Sequence, residues 1–248
     1  IGMASAATPG IPAGIFAIHK KFGSMPLNEI ADAAINKANS GMIVNKLHAD
    51  VIQILSPIIK HTKYATDIFS KSNNQLLKCG DIKSNTHLAT FMNDLANNAE
   101  DWFYYGSPAE KIVADMKRYK GLLTHSDFES YQVIVRDPLS TKINDWDIIT
   151  NAAPTTGGFL ITEQLKHAQN NPDQNLNNKL IDAMIYADQL KNKQGFQYSK
   201  GTSHMSIIDH KGNIASLTVS NGEGCGYLVP SCGFMLNNFL GEEDINAN

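Results

Sequence analysis

The chain is poor in arginine and has no long apolar run, and each shortage excludes a class of protein. Only Arg118 and Arg136 are arginines among its 21 basic residues, and its formal net charge is -3. Lysines are scattered among aspartates and glutamates, so no basic face is expected to bind phosphate groups. Nucleic acid and anionic membranes are therefore not expected as partners. No apolar run approaches the roughly 20 residues of a transmembrane helix, so no membrane span is predicted.

Cysteine is scarce too. Cys79, Cys225 and Cys232 form an odd count without the spacing of metal ligands, so neither a metal nor a cofactor is predicted. Cys225 and Cys232 would approach each other if "CGYLVPSC" formed a hairpin, but ordinary buried thiols are favoured over a disulfide. The residues after Ile1 lack the basic and apolar segments of a signal peptide, so no compartment is predicted.

What the chain does have is helical periodicity over its first two thirds. In "PLNEIADAAINKANSG" the apolar residues recur at helical spacing between Pro26 and Gly41, which predicts an amphipathic helix. The same spacing predicts further helices around residues 88–95, 112–116 and 176–190. The β-branched stretch "YQVIVRDPLSTKINDWDIIT" predicts two short strands with a break at Asp137-Pro138.

Two polar stretches are predicted to be connections. The Asn-rich residues 170–179 have the composition of a surface loop. "TPGIPAG", residues 8–14, lacks the Gly-Lys-Ser/Thr ending of a phosphate loop and is expected to form a tight turn into a helix.

From His204 onward the pattern changes from helix to strand. "HMSIIDHKGNIASLTVS" predicts a hairpin with a Gly212-Asn213 turn, after which apolar residues alternate with polar ones. Helices followed by a sheet indicate an α+β or layered α/β arrangement. His204, Asp209 and His210 lie near Thr202 and Ser203 in the sequence and suggest a hydrolytic triad or a zinc site, with Ser203 and His204 as the adjacent nucleophile and base. Adjacent strand residues point to opposite faces, however, so these two side chains are not expected to pair as nucleophile and base.

Two further stretches carry ligand-binding chemistry. "SNGEGCGY" has three glycines in five positions, as in loops with positive φ or close backbone approach to a ligand. "LNNFLGEED" combines the amides of Asn237 and Asn238 with three acids. A plain loop is an alternative for both stretches.

Taken together, the segments resemble the gamma-glutamyltransferase (gamma-glutamyltranspeptidase) family. "ATPGIPAGIFAIHKKFGSMPL", "YQVIVRDPL", "APTTGG" and "GFMLNNFLGEED" each resemble a segment of that family, in the family's order. The most specific part is "GTSHMSIIDHKGNIASLTVS", which resembles the start of the family's small subunit.

The resemblance implies an α+β fold, a layered αββα sandwich of the N-terminal nucleophile hydrolase type. It also implies one precursor that cuts itself between Gly201 and Thr202 into two associated subunits. Residues 1–201 would then be the mostly helical C-terminal part of the large-subunit-like region, and residues 202–248 the start of the small-subunit-like region. The freed α-amine of Thr202 would have a reference pKa of about 7.7–8.0, which suits a general base near neutral pH.

The implied activity is transfer or hydrolysis of a γ-glutamyl group. Thr202 would attack the δ-carbonyl of a γ-glutamyl amide such as glutathione, and water or an amino-acid amine would release the acyl group. Ser220 falls where the family has a second hydroxyl that hydrogen-bonds the nucleophile.

The resemblance implies substrate contacts on both sides of the glycine-rich loop. Gly222 stands where the family has a substrate-binding asparagine, and Asn221 or Glu223 could take over that role. An acid for the substrate's α-amine is expected from "GEED", where Glu242 and Asp244 are both candidates.

The chain also departs from the family pattern. The family's substrate-binding arginine matches nothing after Ile1, and its serine pair and oxyanion diglycine match nothing before Asn248. The chain therefore resembles the central portion of a longer precursor. Loss of one oxyanion donor costs about 100- to 1000-fold in rate. This chain alone is therefore expected either to be processed poorly or to be inactive, and the sequence does not decide between these outcomes and full activity.

Two alternatives follow from the departures. One is a related amidohydrolase with another acyl substrate, because "KNKQGFQYSK" is a short linker for the family. The other is an uncleaved, inactive homologue with a binding role. Many members of the family are periplasmic or secreted, and a cytoplasmic location stays open.

Overall fold

A computed structural model describes residues 1–71, 73–170, 175–194 and 202–242, with the backbone alone at 193 and 194. The chain divides into two units, Ile1–Val133 with Ser199–Asn248, and Ile134–Tyr198. In the part of the chain that is described, no helix combines the length and apolar character needed to cross a bilayer.

The first unit is mainly helical. Its helices are α1 (Ile11–Phe22), α2 (Leu27–Ser40), α3 (Lys46–Ile54), α4 (Ser56–Ile59), α5 (Lys63–Phe69), α6 (Thr86–Asn97), α7 (Glu100–Tyr104), α8 (Ser107–Arg118) and α9 (His125–Glu129). Short 3-10 turns cover Met3–Ser5 and Phe239–Gly241. The predicted helices around residues 26–41, 88–95 and 112–116 are confirmed as α2, α6 and α8. The entry into a helix predicted for residues 8–14 is confirmed, since α1 begins at Ile11, but the residues just before it form no regular turn.

Side-chain caps start several of these helices. The side chain of Asn85 accepts a hydrogen bond from the Leu88 amide at 3.0 Å and so caps α6. Thr124 and Asp127 form a reciprocal capping box at α9. Such caps satisfy amide groups that the first helical turn leaves without a backbone partner.

The main core joins the helices to the segment that follows the hairpin. Phe103, Ile112 and Phe128 are almost fully buried and belong to the same cluster as Val229 and Leu236. Residues more than 90 positions apart therefore pack together, and this burial of apolar area holds the glycine-rich loop against the helices.

Within the described residues, the strands of the first unit form two antiparallel pairs. β1 (Met42–Ile43) pairs with β2 (Ile82–Lys83). β5 (Thr202–Ile208) pairs with β6 (Ile214–Ser220). Gly212 has a φ of 82° in the connecting turn, which a side chain would disfavour. The predicted hairpin is confirmed, but its turn centres on residues 210 and 211 rather than on Gly212-Asn213, because Ile208 pairs with Ile214 and the Gly212 amide donates to the Asp209 carbonyl.

The described part of the second unit contains a hairpin and two helices. Antiparallel β3 (Leu139–Ile143) and β4 (Trp146–Thr150) precede α10 (Thr156–Gln169) and α11 (Leu176–Gln194). The helix predicted from 176 is confirmed, and it shortens the predicted loop at 170–179, of which residues 171–174 lie outside the described chain.

One strand prediction was wrong. Residues 131–136 before Asp137-Pro138 form no strand, and both observed strands follow Pro138. A strand needs a hydrogen-bonded neighbour, and β-branched composition does not supply one. Val135 is 80% exposed in this stretch.

Candidate active site

Thr202 and Ser220 face each other across the hairpin. Thr202 begins β5, Ser220 ends β6, and the two are register partners. Directly paired residues of antiparallel strands share a face, so both hydroxyl side chains belong to the same face. The Ser220 hydroxyl oxygen also accepts a hydrogen bond from the Gly222 amide at 3.2 Å, which links the hairpin to the glycine-rich loop.

One face of the hairpin is polar from Thr202 to Ser206 and ends in the apolar pair Ile208 and Ile214. On the Thr202 face, the His204 ring is hydrogen-bonded to the hydroxyls of Thr218 at 2.8 Å and Ser206 at 2.9 Å. Ser203 and Met205 alternate onto the opposite face. Strand geometry therefore separates Ser203 from His204, as expected, and gives His204 other hydroxyl partners.

Positive φ angles shape the glycine-rich loop after β6. Gly222, Gly224 and Gly226 have φ values of 58°, 85° and 85°. Residues that carry a side chain rarely adopt positive φ angles. The glycines of "GEGCG" therefore allow a backbone conformation that would be strained with other residues at those positions. The expectation of positive φ for this run is confirmed.

Asn238 joins this loop to the segment before Glu242. Its side-chain oxygen accepts a hydrogen bond from the Gly224 amide at 3.1 Å, and its side-chain nitrogen donates to Glu223 at 3.2 Å. A Cβ atom at Gly222 would collide with the Asn238 side chain and with Glu242 Oε1. Glu242 therefore approaches the backbone of the loop at Gly222.

The structure brings together part of the predicted set. Ser220, Gly222, Glu223 and Glu242 meet around the loop through the contacts above. The Asn221 side chain donates to the Met235 carbonyl at 3.0 Å and so holds the loop. Of the remaining predicted residues, Gly201 and Asp244 lie outside the described chain.

Asn237 has a structural role that its sequence position did not reveal. It is 4% exposed, its side-chain oxygen accepts from the Ala7 amide at 2.9 Å, and its nitrogen donates to the Ala7 carbonyl at 2.9 Å. Its oxygen also accepts from the Phe239 amide at 3.1 Å. The paired amides of "LNNF" were the only sequence signal for this contact.

Tyr227 anchors the other end of the loop. This buried residue donates a short hydrogen bond from its hydroxyl to a carboxylate oxygen of Asp115 in α8. Burial, with a further contribution from Asp115, raises the pKa of Tyr227. The hydroxyl therefore stays protonated and continues to donate at physiological pH.

The two cysteines of this region are buried free thiols, as the sequence favoured. Burial raises the pKa of both Cys225 and Cys232. Within the described ranges, no group of three or more His, Cys, Asp or Glu side chains could hold a metal ion.

Comparisons with known proteins extend these observations. The sequence profile of the gamma-glutamyltranspeptidase family matches residues 1–187 and 161–247. Glutathione hydrolase proenzyme of Escherichia coli (strain K12) is 28% identical over 294 residues, covering 97% of this chain and 50% of that protein. Glutathione hydrolase 2 of Arabidopsis thaliana is 27% identical, covering 98% of this chain and 51% of that protein. The chain thus spans about half the length of these curated relatives.

Solved structures give the same result. The crystal structure of Helicobacter pylori gamma-glutamyltranspeptidase matches with a TM-score of 0.69 at 26% identity, covering 77% of this chain and 57% of that chain. The α+β class is confirmed, and the fold is that of an N-terminal nucleophile hydrolase. Within that class, the chain belongs to the gamma-glutamyltranspeptidase family.

Proposed function

We propose that Thr202 is the nucleophile of a γ-glutamyl transferase or hydrolase that acts on γ-glutamyl amides such as glutathione. The observation that carries this proposal is the pairing of Thr202 with Ser220, whose hydroxyl is hydrogen-bonded to the loop at Gly222. Family membership and the names of the glutathione hydrolase relatives support the substrate class.

The nucleophile is generated by cleavage of the Gly201–Thr202 peptide bond. The cut separates residues 1–201 from residues 202–248 and leaves two associated subunits, in line with the proenzyme relatives. A threonine hydroxyl is a weak nucleophile without an adjacent base, and a peptide nitrogen cannot be that base. The α-amine of the freed Thr202, with a reference pKa of about 7.7–8.0, can accept the hydroxyl proton at neutral pH.

The acyl transfer then proceeds in two steps. The Thr202 oxygen attacks the δ-carbonyl carbon, the carbon–nitrogen bond breaks, and the leaving amine takes the proton held by the α-amine. Water or an amino-acid amine next attacks the ester carbonyl, and the α-amine removes the proton of this second nucleophile. The bond between the acyl carbon and the Thr202 oxygen then breaks, and the proton passes from the α-amine to that oxygen, which restores the free hydroxyl. Ser220 positions the Thr202 hydroxyl through both steps.

The loop holds the glutamyl group. Glu242 binds the substrate's α-ammonium, because it reaches the loop backbone at Gly222 and can offer a charge-assisted hydrogen bond. Glu223 and Asn221 complete the binding surface beside it, and Asp244 is the alternative acid.

The substrate assignment is tested by release of aniline from a γ-glutamyl anilide. The assay uses the protein extended at both ends, and compares Glu242→Gln with Glu110→Gln, an exposed residue in the first turn of α8. Loss of the charge at Glu242 should raise KM by roughly tenfold or more, which corresponds to at least about 1.4 kcal/mol. Glu110→Gln should leave KM unchanged. Equal KM values in both variants would show that Glu242 does not bind the substrate.

A panel of other acyl amides separates the related amidohydrolase from the proposed enzyme. Preference for γ-glutamyl over simple acyl anilides supports the proposal, and the reverse preference favours the amidohydrolase. An uncleaved chain that binds γ-glutamyl compounds without turnover would favour the inactive homologue.

A further inference from the structure

Asn238 contacts both of the segments that meet at the proposed substrate site. It lies directly before the 3-10 turn Phe239–Gly241, which leads to Glu242. Its backbone carbonyl accepts a hydrogen bond from the Gly241 amide at 2.8 Å and so closes that turn. The backbone of Asn238 therefore helps to set the point from which Glu242 extends.

The side chain of Asn238 reaches across to the glycine-rich loop. Its oxygen accepts from the Gly224 amide at 3.1 Å, and its nitrogen donates to a carboxylate oxygen of Glu223 at 3.2 Å. A backbone N–H can only donate and an ionised carboxylate can only accept. The two bonds together therefore fix which end of the amide faces each partner, and they restrict rotation of the side chain.

Gly222 leaves the room that this amide occupies. A Cβ atom at Gly222 would overlap the Asn238 side-chain oxygen and Glu242 Oε1, and it would lie 3.0 Å from Asn238 Cγ. The space that a side chain would fill at position 222 is thus shared by Asn238 and Glu242. Because both oxygens approach the same point, the amide of Asn238 and the carboxylate of Glu242 are direct neighbours.

Asn238 also lies between two acidic side chains. Glu223 is bound on the nitrogen side of the amide, and Glu242 lies beside the amide oxygen. Like charges repel each other more strongly in a partly buried site than in water, and all three of these side chains are partly buried. The hydrogen bond donated to Glu223 holds that carboxylate in place, so loss of the amide would let the two acids shift relative to the loop.

We infer that Asn238 is a positioning residue, which acts through Glu242 on the binding of the substrate's α-ammonium. The inference rests on the proposed function, in which Glu242 accepts a charge-assisted hydrogen bond from that ammonium. Such a bond weakens steeply when its geometry is distorted. A side chain that holds Glu242 against the loop therefore contributes to affinity without contacting the substrate.

The first test is a double-mutant cycle of Asn238→Ala and Glu242→Gln in the protein extended at both ends. KM and kcat are measured with a γ-glutamyl anilide. The dissociation constant of L-glutamate is measured by calorimetry, which does not depend on turnover. Circular dichroism confirms that each variant is folded.

Asn238→Ala should raise KM and the dissociation constant of L-glutamate by roughly three- to tenfold, because the Glu242 carboxylate is no longer held against the loop. The value of kcat should change by less than about twofold, since Thr202 and Ser220 are unaltered. In the Glu242→Gln background, Asn238→Ala should have no further effect on either constant, because the charge through which Asn238 acts is already gone.

Two glycine variants test the same contact by crowding it. Gly222→Ala forces a methyl group into the space held by Asn238 and Glu242, and should raise KM by roughly fivefold or more. Gly212→Ala is the matched control, because Gly212 also has a positive φ, of 82°, but a Cβ there meets no atom within 4 Å. It introduces similar backbone strain and should leave KM within about twofold of the native value.

Three results would overturn the inference and leave the proposed function intact. They are unchanged constants in Asn238→Ala, effects that multiply in the double variant, and equal KM values in the two glycine variants. A fall in kcat with KM unchanged in Asn238→Ala would also overturn it, because Asn238 would then act on the chemical step. A native chain that neither releases aniline nor binds L-glutamate would overturn the proposed function, and this inference with it.

Discussion

Asn237→Asp exchanges a buried amide nitrogen for an oxygen of nearly the same size. In the native chain this nitrogen donates to the Ala7 carbonyl, while the side-chain oxygen accepts from the amides of Ala7 and Phe239. The substitution keeps both accepted bonds and removes the donated one. The Ala7 carbonyl then faces a negative oxygen instead of an N–H group.

The cost can be worked out from these contacts. Loss of a hydrogen bond costs about 0.5–1.5 kcal/mol, and an acceptor left without its donor adds about 1–3 kcal/mol. We expect Asn237→Asp to lower the free energy of unfolding by about 2–4 kcal/mol at pH 7. Asn28→Asp is the matched control, since Asn28 is exposed in the first turn of α2 and should change stability by less than about 0.5 kcal/mol.

The penalty should depend on pH. A protonated aspartic acid can donate to the Ala7 carbonyl, so folding raises the pKa of the new carboxyl group above its unfolded value of about 3.9. The folded variant therefore binds more protons than the unfolded one between these two pKa values, and the penalty shrinks as the pH falls through that window. Urea denaturation at pH 7.0 and about pH 4.5 measures the difference. A variant as stable as the native chain at pH 7, or a penalty independent of pH, would refute the reasoning.

The remaining predictions concern three other contacts. Tyr227→Phe removes the hydrogen bond to Asp115 and should cost about 1.5–3 kcal/mol in urea denaturation; a cost below about 0.5 kcal/mol would contradict the contact. Thr124→Ala breaks the capping box with Asp127 and should cost about 1 kcal/mol in thermal unfolding, with no loss if the cap is unimportant. Lys83 has a pKa of about 8 when folded and 10.5 as the reference value, so its burial cost is full below pH 8 and fades as the pH rises toward 10.5. Lys83→Met should therefore stabilise the chain at pH 7 and lose that advantage by about pH 10, and an advantage independent of pH would oppose this account.

Local patterns predicted the elements that form from contacts close in the chain. The helix Leu27–Ser40 and the hairpin of β5 and β6 follow from periodicity and from a glycine turn, both of which act over a few residues. The failure at residues 131–136 has the opposite cause. Their β-branched composition favours a strand, but pairing depends on a neighbour that composition does not specify.

The candidate site shows the same division. The family resemblance placed Ser220 beside Thr202, and the observed hairpin sets the two opposite each other because Ile208 pairs with Ile214 across the turn. The contact of Asn237 with Ala7 joins residues 230 positions apart, and that of Tyr227 with Asp115 joins residues 112 positions apart. Such pairs arise only when the whole core assembles, so no local pattern in the sequence announces them.

The central claim is that Thr202 becomes the N-terminal nucleophile by cleavage of the bond to Gly201. Intact-mass analysis of the protein extended at both ends tests it directly. We expect two fragments, the second beginning at Thr202, with cleavage retained in Ser203→Ala and abolished in Thr202→Ala. A single uncut native chain, a cut at another bond, or normal cleavage of Thr202→Ala would contradict the account.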